Sequence, residues 1–186
     1  MIAEAAASLF AEYGFARTTT RMIAAKAGVA EGTIYLYYAG KKDILIRFVE
    51  RVILDSVKET FAQTQGLSDE EVVEAFLVSR FRLWGKHRDL MKVLVAEALF
   101  DKELAQRYTQ QVVQPALGMV REYFARRIAD GAFRNIDPTV AARALLGHFL
   151  SAAIFSSIFP TSDGPNLTPE QYAHELVLLF LEGMKK

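Results

Sequence analysis

Helical periodicity is the feature that most limits what this chain can become. Apolar residues recur at three- and four-residue spacing almost from end to end, and no strand-length run alternates strictly between apolar and polar positions. The pattern predicts an all-α fold. Its punctuation falls where helix ends belong. Gly14 closes a first helix, Gly28 interrupts a second short stretch, and Gly40 precedes a long run over 41–65. Ser68 followed three residues later by Glu71 is a capping-box signature, and Gly85 closes the helix it opens. A helix is expected over 89–100, then a longer run over 103–130 that Pro115 should kink or split. Asp137-Pro138 reads as an N-cap and first helical residue, and Phe159-Pro160 as a terminator. The stretch 161–167 is the most loop-like, and Thr168-Pro169-Glu170-Gln171 opens a last helix. That makes about nine helices. The first three are short and crowd into about 40 residues, while the later ones are long.

Composition removes several classes of function. The chain has 186 residues and is 52% hydrophobic, enough for a substantial core. Formal net charge is zero, which argues against a protein coated in basic residues but not against a local basic patch. The absence of cysteine rules out disulfides, thiolate nucleophiles and cysteine zinc sites, and three scattered histidines match no metal-ligand spacing. There is no Gly-rich phosphate loop and no paired histidine, and carboxylates such as Glu97 and Asp101 read as solvated or capping groups. The chain is therefore read as no enzyme, with no cofactor and no metal. No run of about twenty apolar residues without charges is found, and the start, Met1-Ile2-Ala3-Glu4, lacks the basic character of a secretory signal. A cytoplasmic protein without contact to a membrane is expected.

Residues 20–38 carry the functional signal. Two helices that cross at about 90–120° through a turn of three or four residues need a small residue at the crossing and a turn residue tolerant of positive φ. Ala24 and Gly28 satisfy both demands. Ile23, Ala27, Val29, Ile34 and Tyr38 supply the inner face, and Thr20 or Thr19 can cap the first helix. The outward face of the second helix is then Glu31, Gly32, Thr33, Tyr35 and Leu36, with Tyr37 at its end. In a helix-turn-helix, such a face meets base edges in the major groove. Thr33 and Tyr35 bring a methyl and hydroxyls, Gly32 permits close approach, and Tyr37, Lys41 and Lys42 sit where phosphates should pass. Up to Glu50 basic residues exceed acidic ones by a single charge, so useful affinity calls for a dimer.

These residues carry a resemblance. Phe10-Ala11-Glu12-Tyr13-Gly14-Phe15, Thr18-Thr19-Thr20, Ile23-Ala24, Ala27-Gly28-Val29 and the run from Gly32-Thr33-Ile34-Tyr35 through Asp43-Ile44-Leu45 resemble the DNA-binding domain of the tetracycline-repressor (TetR) family across nearly all of 2–48. Ala129-Asp130-Gly131-Ala132-Phe133 with Ile136-Asp137-Pro138 resembles the stretch before that family's dimerising helices. The resemblance implies a three-helix helix-turn-helix domain at 1–48, with its motif at about 19–38, and a larger helical bundle at 49–186 that binds a small ligand and dimerises. It implies phosphate contacts from Thr19 or Thr20, Arg21, Tyr37 and Lys41, and base or backbone reading by Glu31, Gly32, Thr33 and Tyr35. Two departures stand out. Most members have phenylalanine where Tyr38 stands, whose hydroxyl needs a partner or water if buried. Most also carry a short basic arm before the first helix, whereas here the helix begins with the sequence, so arm contacts are not expected.

The dimer has an independent candidate. The run 141–159 is apolar with many small residues, and the last helix adds Leu176, Val177, Leu179, Phe180 and Leu181. Two such helices per subunit can form an isologous four-helix interface. Candidate pocket residues are Phe81, Trp84, Met91, Phe100, Tyr108, Met119, Tyr123, His148 and Phe155, whose character suggests a largely apolar effector. The expected function is a dimeric, ligand-released repressor acting on a palindromic duplex operator. The alternatives are an activator with the same reader, or a helical protein-interaction module.

Overall fold

In the computed structural model, which describes residues 1–158 and 167–184, every described element is a helix. In chain order they are α1 (Ile2–Tyr13), α2 (Thr20–Ala27), α3 (Glu31–Tyr37), α4 (Lys41–Gln63), α5 (Asp69–Lys86), α6 (Arg88–Phe100) and α7 (Lys102–Tyr108). A single π-helical turn at Thr109–Val113 follows, then α8 (Gln114–Ala129), α9 (Pro138–Ile158) and α10 (Pro169–Glu182). Because α7, the π turn and α8 are one unbroken run, the described residues hold nine separate helical segments, as the punctuation predicts. The terminator Phe159-Pro160 and nearly all of the loop expected at 161–167 lie outside the described residues.

Pro115 acts as its chemistry demands. It has no N–H to donate and its ring crowds the carbonyl four residues back. The chain responds by widening just before it: the Gln114 N–H donates to the Thr109 carbonyl, a five-residue step. The predicted split of the long run is thus a π turn rather than a break.

Local chemistry sets the other ends. Ser68 and Glu71 close the expected reciprocal box, with the Ser68 N–H 2.8 Å from Glu71 Oε2 and the Glu71 N–H 3.3 Å from Ser68 Oγ. Thr168 and Gln171 do the same at α10. Asp137 Oδ1 accepts from the Thr139 N–H at 2.6 Å, and Asp101 caps α7 through the Leu104 N–H.

The chain forms two compact units, 1–54 with 87–114 and 55–86 with 115–186, so the boundary lies inside α4. In the first unit, α1 packs on α2 and α6, and α2 packs on α3. Ala6, Phe10, Ile23, Ile34, Ile44, Ile46 and Val49 are fully buried there. Burying side chains of this kind stabilises by about 1.5–3 kcal/mol each for the larger ones. In the second unit, α10 lies against α5 and α9 also touches α5. Phe76, Leu77, Phe124, Phe133, Ala142 and Ala173 are at or below 1% exposure in its core. An aromatic chain runs through it, with Phe61 stacked on Phe76 and Tyr123, and Phe124 against Phe133 and Phe180.

One expectation needs correction. Pro138–Ser157 of α9 is long and apolar enough to cross a membrane by length and composition. Only 28% of that window is buried within the chain, which leaves Val140, Leu150 and Phe155 exposed. The apolar excess exists because the small residues along α9 break the charge pattern of a one-sided surface helix.

Candidate nucleic-acid interface

Thr19 sets the start of α2. It adopts an extended backbone, and its hydroxyl accepts the Met22 N–H at 3.2 Å. Of the two capping candidates, Thr19 is the cap. The other end of α2 rests on Gly28, which sits in the left-handed region at φ 68°. Its N–H reaches the Ala25 carbonyl and the Val29 N–H reaches the Ala24 carbonyl, a Schellman closure. A β-carbon at Gly28 would meet nothing within 4 Å. Glycine is therefore required here by backbone conformation and not by crowding.

The turn delivers α3 with Ile34 fully buried and the opposite face in the open. Tyr35 is 57% exposed, Leu36 78% and Tyr37 64%. Glu31 and Gly32 are exposed as well, and Thr33 is half-buried. A side chain at Gly32 would meet nothing within 4 Å, so the backbone of α3 is open to close approach there. Three large side chains held out in a row on a seven-residue helix are what sequence reading expects of a groove-reading face. Leu36, noted on that face, is the most exposed of them.

Side chains around this face are tied together. Thr20 Oγ1 donates to Glu31 Oε1 at 2.7 Å and lies 3.2 Å from the Tyr35 hydroxyl. Arg21 is exposed and makes no hydrogen bond or ion pair among the described residues. Tyr38 caps α3, and the Arg47 guanidinium lies 5.7 Å from its ring centre.

Lys41 is placed unlike a free surface cation. Its Nζ donates to the carbonyls of Phe15, Ala16 and Thr18 at 2.8, 3.3 and 3.2 Å. It also lies 4.4 Å from the centre of the Phe15 ring. An ammonium has three protons, and three acceptors already take them. Lys41 thereby fastens the α1–α2 connection to the start of α4.

An ion-pair cluster that sequence reasoning missed holds the next turn. Lys42 lies 2.7 Å from both Asp101 and Glu103, and these partners hold its pKa above the usual lysine value. Asp43 is buried and accepts from the Ala39 N–H, Arg47 and Arg107, at 3.2, 3.1 and 2.5 Å. Burial pushes its pKa up, but Arg107, the Ala39 N–H and Arg47 outweigh this and hold the carboxyl below its ordinary value. The start of α4 is thus bound to α7 by pairs separated by 61 and 64 residues.

The pocket candidates do not form one cluster. Met91 is buried in the first unit, where Tyr108 is half-buried with its hydroxyl pushed up to about 12 by burial, and Phe100 is 91% exposed. In the second unit, Phe81 makes edge contacts with Phe149 and Tyr172, and the Trp84 indole N–H donates to Ser157. His148 and Phe155 are exposed on α9. Met119 and Tyr123 do come together, in a cavity of about 780 Å³ floored by Phe61, Leu67 and Val72 and rimmed by Lys58, Arg126 and Arg127. Asp69 anchors that rim, accepting from Tyr123 at 2.5 Å and from Arg127 Nε and Nη2 at 2.7 and 2.9 Å.

A three-helix unit whose α2 and α3 meet at a glycine turn, with α3 bare on its outer face, defines a helix-turn-helix DNA-binding regulator. Residues 2–48 match the bacterial regulatory proteins of the tetR family, and residues 71–183 match the C-terminal domain of AefR-like transcriptional repressors. The chain belongs to the TetR family of transcriptional regulators, whose members bind DNA operators. It is similar to YhgD of Bacillus subtilis, an HTH-type transcriptional regulator, with 24% identity over 185 residues, covering 99% of this chain and 95% of that protein. Its fold matches the fatty acid degradation regulator FadR from Bacillus halodurans, with a TM-score of 0.82, 23% identity and coverage of 99% and 98% of the two chains. It also matches FadR from Bacillus subtilis in complex with stearoyl-CoA, with a TM-score of 0.80, 21% identity and coverage of 98% and 97%.

Proposed function

We propose that this regulator is a cytoplasmic repressor that grips a palindromic operator as a homodimer and leaves it when a largely apolar effector binds its second unit. The exposed row Tyr35, Leu36 and Tyr37 carries the reading, since a core helix would bury such side chains. We assign base contacts to Glu31, Gly32, Thr33 and Tyr35, and phosphate contacts to Arg21 and Tyr37. Thr19 and Lys41 hold the reader in shape. The protein acts by binding rather than catalysis.

Two recognition helices must sit about 34–36 Å apart to enter successive major grooves, which requires a dimer. The apolar side chains left open on α9 and α10, among them Val140, Phe155, Leu178 and Leu179, are suited to a four-helix interface with a second copy. The effector seat is assigned to the cavity shared by Met119 and Tyr123. Its apolar floor and basic rim suit a ligand with an alkyl body and an anionic head, and stearoyl-CoA in the FadR relative is of that kind. α4 contributes to both units, so displacement of its second half is the route from effector to reader. A hundredfold loss of DNA affinity needs about 2.7 kcal/mol of coupling, and the effector must prefer the released state by that much.

Gel-shift titration of the purified dimer against the DNA flanking its own gene, with and without long-chain acyl-CoA, tests the proposal. A discrete complex at nanomolar protein that dissolves with acyl-CoA is expected. Binding no tighter than to random duplex would refute the operator reading, and a complex indifferent to every acyl-CoA would refute the effector class.

A further inference from the structure

The hydrogen-bond chain on the reading face has a direction. Thr20 has one hydroxyl proton, and it goes to Glu31 Oε1, because an ionised carboxylate accepts and cannot donate. The Tyr35 hydroxyl, 3.2 Å from Thr20 Oγ1, must then be the donor of that pair. Its proton is directed back toward α2, and what it offers outward is an oxygen lone pair. Glu31 has acceptor capacity left after Thr20 takes one site. Two neighbouring groups on the exposed face of α3 therefore present acceptors only. Gly32, beside Glu31, leaves open space for a base edge to come near.

Major-groove edges respond differently to such a surface. Guanine offers N7 and O6 and thymine offers O4, all acceptors that would repel it. Adenine offers its N6 amino group beside the N7 lone pair, while cytosine offers its N4 amino group without a neighbouring acceptor on the same base. We propose that Glu31 and Tyr35, fixed by Thr20, select a cytosine in each operator half-site through its N4 amino group. The inference rests on the regulator reading above and names the base that this part of the face reads. Thr20 is a positioning residue, acting through Glu31 and Tyr35 and not through a phosphate.

Selection from a random duplex pool by the full-length dimer tests it, run in parallel with Glu31→Gln, Glu31→Ala and Thr20→Val. The wild type is expected to enrich cytosine at one position per half-site about tenfold over the other bases. Glu31→Gln should move that position to adenine, because a carboxamide can donate to N7 while accepting from N6. Glu31→Ala should erase the preference there, and Thr20→Val should weaken it severalfold without changing affinity for random duplex. Unchanged preferences at flanking positions report an intact fold in each variant. A site that stays the same in Glu31→Gln, or a cytosine preference untouched by Thr20→Val, overturns the inference while leaving the regulator reading in place. Enrichment of no motif by the wild type overturns both.

Discussion

Lys41 and Arg21 each carry one positive charge near the reading face, yet they are placed for different work. Three carbonyls hold the Lys41 ammonium, whereas Arg21 projects into solvent. Lys41→Ala is expected to destabilise the protein by about 2 kcal/mol, since it removes charge-assisted hydrogen bonds to part-buried carbonyls. It should leave the salt dependence of DNA binding nearly unchanged. Arg21→Ala should do the reverse, with the fold intact and the slope of log affinity against log salt reduced by about one per subunit. Urea melts beside filter binding at several salt concentrations separate the two. Asp43 sets a pH dependence. Its pKa is lower in the folded chain than in the unfolded one, so its contribution is complete above the ordinary carboxylate value of about 4 and is lost as pH falls through the folded value. Stability should fall toward acid, and Asp43→Asn should flatten that slope while lowering stability at pH 7 by about 2 kcal/mol. Denaturant melts of both proteins from pH 7 to pH 3 check the sign. Sequence reading had Lys41 among the phosphate contacts and gave Asp43 no role, because the carbonyls and Arg107 that decide these matters lie far along the chain.

Helices and turns were largely legible because their controls are local. Asp137, Ser68 and Thr168 cap through partners two or three residues away, and such geometry is fixed by spacing alone. Gly28 is the sharpest case, since a left-handed residue is needed wherever two helices turn so tightly. Gly28→Ala should cost about 1–2 kcal/mol through backbone strain, with no steric clash to relieve. Because α3 hangs on this turn, DNA affinity should drop further than stability does. Thermal melts and gel shifts on one preparation make the comparison. The π turn at Thr109–Val113 was less legible. Pro115 announced a disturbance, but whether a helix kinks, stops or widens depends on what its two halves pack against.

At the scale of the molecule, α9 and α10 leave more apolar surface open than a lone chain in water favours. Leu179, 70% exposed on α10, is the point at which to test the dimer. Leu179→Glu should shift sedimentation from dimer toward monomer and weaken operator binding more than tenfold, while the helical circular dichroism stays. A variant that remains dimeric would move the interface elsewhere.

Periodicity, caps and the glycine turn by themselves determined that this chain is helical throughout and that a short reading helix follows Gly28. Those signals act over a few residues, within reach of one stretch of backbone. Only the tertiary structure decided that Lys42 and Asp43 bind α7, that Lys41 closes a loop, and that Met119 and Tyr123 share a cavity while Phe100 stands in solvent. Such pairings depend on how distant helices are brought together, and the energy that selects them is spread over the packed core and marked by no single residue.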